Sequence, residues 1–317
     1  MTRLILVRVA IAALTFWGAS VLIYIGIAAL PGSPAEAVLG PEASPESIAS
    51  LSQQMGLDHP LVERYGIWFG HFIKGDMGNS FATGAARPVW PLIKHRVIYS
   101  LALALATLVF LIPISIGLGV ISAVRRGGTV DNVIMSSTLT FVAMPEFVVG
   151  TVLVLILAVW LGWFPAVSLI NPAKSVFLQP KFLVLPVLTL LFHSVAGTTR
   201  MVRACLIDVL RSEYVEMARL KGLSERRVLL HHALPNALGP TIQILALNAA
   251  SLVGGIVVVE TVFGYPGLGS YLTSAVQSYD VATVEAIGLL ITAAYVIMNM
   301  IAGLSVVLLN PRVRRGQ

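Results

Sequence analysis

Charge is scarce in this chain. Asp, Glu, Lys and Arg make up 11% of its 317 residues, against about 25% in ordinary soluble domains. That deficit excludes a soluble globular protein. With 57% hydrophobic residues and a mean hydropathy of +0.87, the chain reads as an integral membrane protein. Cysteine is nearly absent: Cys205 stands alone, so no intramolecular disulfide framework is possible. Gly-Lys pairs are missing altogether, which excludes a phosphate-binding G-x-x-x-x-G-K-[ST] loop. Neither H-E-x-x-H nor Gly-x-Ser-x-Gly occurs, so the common zinc-protease and hydrolase signatures are missing too. His231 and His232 are adjacent, point in different directions on a helix and make poor metal ligands; no metal site is expected. These absences point away from an enzyme. The formal charge of +6 fits basic loops at a membrane surface and does not imply a nucleic-acid partner.

Six stretches carry little or no charge: Val9–Ala35, Val97–Val124, Asn132–Phe164, Phe182–Thr199, Ala237–Val259 and Ala286–Pro311. Each approaches the roughly 20 residues needed to cross a bilayer core as a helix. The expected fold is therefore all-α, with six transmembrane helices in one domain over 1–317. The first stretch, preceded by Arg3 and Arg8, has a signal peptide as its rival reading. Its length and the Leu30-Pro31-Gly32 context favour an uncleaved span. With both termini inside, the inner segments hold 14 of the 21 Lys and Arg residues and the outer ones hold 7. That bias places the N- and C-termini in the cytoplasm of a bacterial or archaeal cell, with the chain in its cytoplasmic membrane.

Residues 31–95 then form an external segment with helix signals of its own. Ser44-Pro45 reads as an N-cap followed by proline at the first helical position, with a stop at Gly56. Pro60 opens a second helix through Tyr65 and Trp68 to a stop at Gly75, and Gly75–Ser80 reads as a turn-rich loop. The sum is a small helical cap between spans one and two.

A polar island, 206–236, interrupts the apolar pattern between spans four and five. Glu213–Lys221 suits a short helix, and Gly222 suits the left-handed position that closes it. Ser224 starts a second helix carrying Arg226 and Arg227, which Leu234-Pro235 is expected to end.

The order Glu216-Met217-Ala218, then Gly222, then His232-Ala-Leu234-Pro235 resembles the EAA loop of ABC importer permeases. In that family the loop carries a coupling helix seated in the ATPase subunit. Methionine replaces the family's usual alanine at 217, and histidine an aliphatic residue at 232. Glu260-Thr-Val-Phe-Gly-Tyr-Pro-Gly-Leu-Gly269 is similar to the segment after the fifth span in dipeptide/oligopeptide/nickel permeases. So are Leu30-Pro31-Gly32-Ser-Pro34, Gly56-Leu57-Asp58-His-Pro60, Gly75–Ser80, Met144-Pro145, Thr199-Arg200-Met-Val-Arg203 and Asn310-Pro311-Arg312-Val-Arg314. The long first outer segment points to the first of the two permeases in such systems.

The resemblance implies a type I importer permease fold and a set of partners. These are a second homologous permease, two cytoplasmic ABC ATPases that hold ATP and Mg, and an external solute-binding protein. It implies no cofactor on this chain. The cargo implied is di- or oligopeptide, with nickel or glutathione as the alternative. ATPase coupling is carried over to Glu213, Glu216, Ala218, Gly222, Arg226, Arg227, Leu234 and Pro235.

Three further residues stand out. Glu146 is the one carboxylate deep in a predicted span, about 22 Å of helical rise from Asp131, beside the potential kink at Pro145. Charges at such depth suggest function, so Glu146 and Pro145 are candidates for the substrate path; otherwise Glu146 meets the companion permease or is protonated. An ion-coupled secondary carrier using Glu146 is the rival from another class. Arg200 and Arg203, at the inner end of the fourth span, either complement a helix C-terminus or gate against the loop.

Overall fold

The computed structural model describes residues 2–29, 32–83 and 85–309. The chain's Leu30-Pro31 and its ending from Asn310 lie outside these. The first helix, α1 (Thr2–Ala28), is followed by three short ones: α2 (Pro34–Leu39), α3 (Pro45–Gln54) and α4 (Leu61–Ile73). A two-residue antiparallel ribbon, β1 (Asn79–Ser80) and β2 (Arg87–Pro88), leads into α5 (Val89–Val124). Next come α6 (Thr129–Ala143), α7 (Glu146–Leu153) with a π-helical extension over Val154–Trp160, and α8 (Val184–Leu210). The chain finishes with α9 (Glu213–Leu220), α10 (Glu225–Arg227), α11 (Leu234–Val262), α12 (Leu268–Gln277) and α13 (Val281–Leu309).

Five of these helices are long and apolar enough to cross a membrane, and a sixth crossing results if α6 and α7 count as one broken span. The third expected span is thus corrected. Its two halves bend by 107° at Met144-Pro145, because the residue before a proline is pushed out of the helical region. Met144 is extended, with φ −88° and ψ 130°. Pro113, by contrast, sits inside α5 without ending it. Boundaries shift elsewhere too. The first span's helix stops at Ala28, so Ala35 belongs to α2, and α8 runs past Thr199 to Leu210.

The helix signals between the first two spans are realised. Ser44 accepts a hydrogen bond from the Ser47 amide at 3.2 Å, Pro45 opens α3, and Gly56 and Gly75 adopt φ of +67° and +88°. In α4 an aromatic ridge of Tyr65, Trp68, Phe69 and Phe72 packs on Phe16 and Tyr24 of α1.

The core follows from burial. In α8, 61% of the most apolar window is buried, against 6% in α1, so α8 is the central post and α1 a peripheral one. Leu185, Leu190 and Val195 of α8 pack with Leu103 and Leu111 of α5 and with Leu252, Val259 and Phe263. Gly119 sets the closest approach of α5 to α8: a Cβ there would stand 2.5 Å from the Val202 side chain. Small residues allow such contact where helices pack in lipid.

Candidate functional site

The polar loop folds as a knob on the ends of α8 and α5. In α9 only Val215 and Ala218 point inward, three residues apart on one helix face. They join Leu206, Ile207, Ala123, Val228, Ala233 and Ala237 in a separate small core. Cys205 is partly buried beside it, as ordinary packing. The other face is open: Glu213 and Glu216 are exposed, and so are Tyr214, Met217 and Leu220, the last at 76%. An apolar stripe flanked by carboxylates is thus presented away from the bundle.

Gly222 closes α9 with φ +77°. Its amide donates to the Arg219 carbonyl at 2.9 Å, and the Leu223 amide donates to Ala218 at 3.4 Å. This double bond pattern is a Schellman motif, which needs a left-handed residue at its centre. Arg219 fastens the turn from outside, donating to both oxygens of Glu225 at 3.0 and 3.3 Å. Arg226 and Arg227 are exposed on α10. Leu234-Pro235 does not end the second helix, contrary to expectation. The chain passes through a π-helical turn, Val228–Ala233, directly into α11, with Pro235 its second residue.

Beneath the knob lies an ion pair between elements far apart in sequence. Asp131, 2% exposed at the start of α6, accepts from Arg203 Nε and Nη2, each at 2.7 Å. It also accepts from Ser122 Oγ, and from the Gly127 amide at 2.8 Å. Arg203 therefore ties α8 to α6 and the end of α5, rather than capping helix carbonyls or touching the loop. Arg200 is exposed and makes no hydrogen bond or ion pair among the described residues.

At the far end of α11, Glu260 is fully buried without a salt bridge. It accepts from Ser100 Oγ at 2.5 Å and from the Gly269 and Ser270 amides at 2.6 and 3.3 Å, capping α12. A Cβ at Gly267 would collide with this carboxyl. Tyr265 donates to the Tyr99 carbonyl at 2.8 Å. Burial first, then the nearby Glu260, raises the phenol's pKa and keeps it a donor.

Glu146 occupies the first turn of α7, just after the break. The straight-helix distance from Asp131 therefore does not apply. Its carboxylate lies against Gly255 of α11, where a Cβ would stand 2.6 and 2.7 Å from the two oxygens. It is half-buried and has no hydrogen bond or ion pair among the described residues.

Residues 115–315 match the family described as binding-protein-dependent transport system inner membrane component, and residues 1–104 match its N-terminal companion. The chain belongs to this permease family. Its relatives include a probable peptide ABC transporter permease protein y4tP of Sinorhizobium fredii, 30% identical over 93% of both chains. The glutathione transport system permease protein GsiC of Escherichia coli is 34% identical over 95% of both. The oligopeptide transport system permease protein AppB of Bacillus subtilis is 34% identical over 93% of this chain and 94% of its own. This is a multi-pass ABC importer permease of the peptide/oligopeptide/glutathione type, a family that works with an ATPase and a substrate-binding protein.

Within this permease, Glu216, Met217, Ala218 and Gly222 come together on the knob, and Leu234 and Pro235 stand at its exit. Arg200, Arg203 and Glu146 lie apart from that surface. Sequence reasoning missed the Asp131–Arg203 pair, the Arg219–Glu225 clasp and the capping role of Glu260. The local clue for Asp131 was an acidic residue just after Gly127-Gly128, at the start of a helix.

Proposed function

We propose that this chain is the first of two homologous permeases in an ATP-driven importer of short peptides, and that the knob at Glu213–Pro235 is its coupling element. The observation that carries the reading is the exposed Tyr214–Met217–Leu220 stripe on a helix whose other face is locked to α8. An apolar helix face of this kind suits a cleft in a partner protein. Two cytoplasmic ATPases, binding ATP and Mg, supply the energy, and this chain needs no cofactor. The N- and C-termini and the knob (206–236) lie in the cytoplasm, and residues 31–95 lie outside, where the solute-binding protein docks.

Closure of the ATPase pair draws the two permeases' knobs together. Val215 and Ala218 pass the movement to α8, the π-turn passes it to α11, and the Asp131–Arg203 tie carries α6 and the end of α5 along. Glu146, at a helix break facing Gly255, borders the path. A broken span next to a carboxylate suits passage of an amino group.

Glutathione is the second reading, favoured by GsiC at 34% identity. The test is mild-detergent purification of this chain from its native membrane, then reconstitution with whatever co-purifies. A second permease, P-loop ATPases and ATP-dependent uptake of labelled dipeptides are expected. Purification as a lone chain that transports on an ion gradient would overturn the importer reading and make Glu146 the leading site.

A further inference from the structure

Most buried carboxylates in this chain are answered by donors. Asp131 has Arg203, Glu260 has Ser100 and two amides, and Asp280 accepts from Ser80 at 2.5 Å and Thr283 at 2.6 Å. Glu285 is different. It lies in the second turn of α13, 5% exposed, with no hydrogen bond or ion pair among the described residues. A buried carboxylate without a partner is costly: it either sheds its charge by protonation or meets a bound group that supplies donors.

Glu285 lines two adjoining cavities, of about 140 and 420 Å³. The smaller is bounded by Tyr24, Arg64 and Tyr279; the larger runs past Trp68 to His59 and His71. Those two histidines are more than half exposed and mark the mouth. A second unanswered group belongs to a residue of the larger cavity's lining: Trp68 Nε1 is buried and has no acceptor. The Tyr24 and Trp68 rings are 5.3 Å apart, with Tyr65 5.4 Å from Tyr24. Arg64 is within electrostatic reach of Glu285 and Tyr24 but forms no ion pair.

An unpaired carboxylate beside aromatic rings is the chemistry that holds an ammonium group. An unused indole N–H and a guanidinium nearby suit an anionic oxygen. We propose that this cavity binds a primary ammonium group with an anionic oxygen a few bonds away, the ammonium on Glu285 and the oxygen on Trp68 and Arg64. The amino-phosphate head of phosphatidylethanolamine and a free peptide zwitterion share this chemistry. The lipid source is independent of the peptide-import reading, while the peptide source rests on it; the site is formed by α1, α4 and α13, away from Glu146.

The test uses the full complex in nanodiscs. One arm compares phosphatidylethanolamine with phosphatidylcholine, which keeps the phosphate but blocks the ammonium, by lipid retention in native mass spectrometry. The other compares dialanine with N-acetyl-dialanine by thermal shift. One arm responds in the wild type and identifies the source, and Glu285→Gln weakens that response about tenfold. Equal response from wild type and Glu285→Gln, or silence in both arms, overturns the site and leaves Glu285 a neutral structural side chain. Should Glu285→Gln fail to assemble, Trp68→Phe keeps the ring and removes the donor. Unchanged retention in that variant also overturns the proposal.

Discussion

The two ends of the helical bundle hold their buried carboxylates in opposite ways. Near the knob, Asp131 is neutralised by the two-pronged guanidinium of Arg203. At the far end, Glu260 has only a hydroxyl and backbone amides, and Asp280 only hydroxyls. Charge-assisted, bidentate pairs are the stronger and more directional of the two. On the proposed coupling, a tie that carries α6 along with α8 benefits from that strength. At the far end Glu260 caps α12, where fixed amides set position through geometry, and Asp280 joins Ser80 to Thr283. The same residue type thus serves as a strut at one end and as a fastening for short helices at the other.

The comparison can be broken experimentally, starting from its strongest element. Arg203→Ala should leave Asp131 buried without its counter-ion and cost about 2–3 kcal/mol, read as a fall in the complex's melting midpoint and lost peptide uptake. Arg203→Lys keeps the charge but not the fork and should restore part of both. A wild-type midpoint in the alanine variant would remove the strut. At the far end, Gly267→Ala drives a methyl into the Glu260 carboxyl and should cost roughly 1–3 kcal/mol. Hydrogen exchange of α12 should rise while that of the knob stays put; equal loosening at both ends would erase the distinction drawn here.

Gly222→Asp forces a side chain into a left-handed position, at about 1–2 kcal/mol. Its diagnostic effect is functional: the complex should assemble, yet peptide should no longer stimulate ATP hydrolysis. Normal stimulation would dismiss the coupling role of the knob. The smallest change is expected from Arg219→Ala. Its partner Glu225 is 74% exposed, so the pair contributes about 0.2–1 kcal/mol. Denaturant melts should barely move, and a large shift would show that the clasp matters more than its exposure suggests.

Much of this could be read from the sequence because it is local. Ser44, Pro45, Gly56, Gly75 and Gly222 each act through their own backbone or that of residues a few positions away. They stand where their chemistry predicted. Prolines proved ambiguous: Pro113 is absorbed within α5, while Pro145 divides a span by 107°. Lipid-embedded neighbours decide which outcome holds, and a single sequence does not state them. The ties that organise the bundle are non-local. Asp131 and Arg203 are 72 residues apart, Ser100 and Glu260 are 160 apart, and Ser80 and Asp280 are 200 apart. No periodicity encodes such pairings. Glu146 illustrates the same point: depth counted along a straight helix loses its meaning once the helix turns.

The π-helical turn at Val228–Ala233 sets the phase between knob and shaft. One residue corresponds to about 100° around an α-helix, and a π-turn absorbs one residue without interrupting the helix. Removing a single residue there would regularise the helix while pointing the Tyr214–Leu220 stripe in a new direction. The knob's aim is therefore fixed by chain length as well as by side chains, like a gear keyed to its axle. Any homologue that loses or gains one residue in this turn presents its stripe on a new bearing.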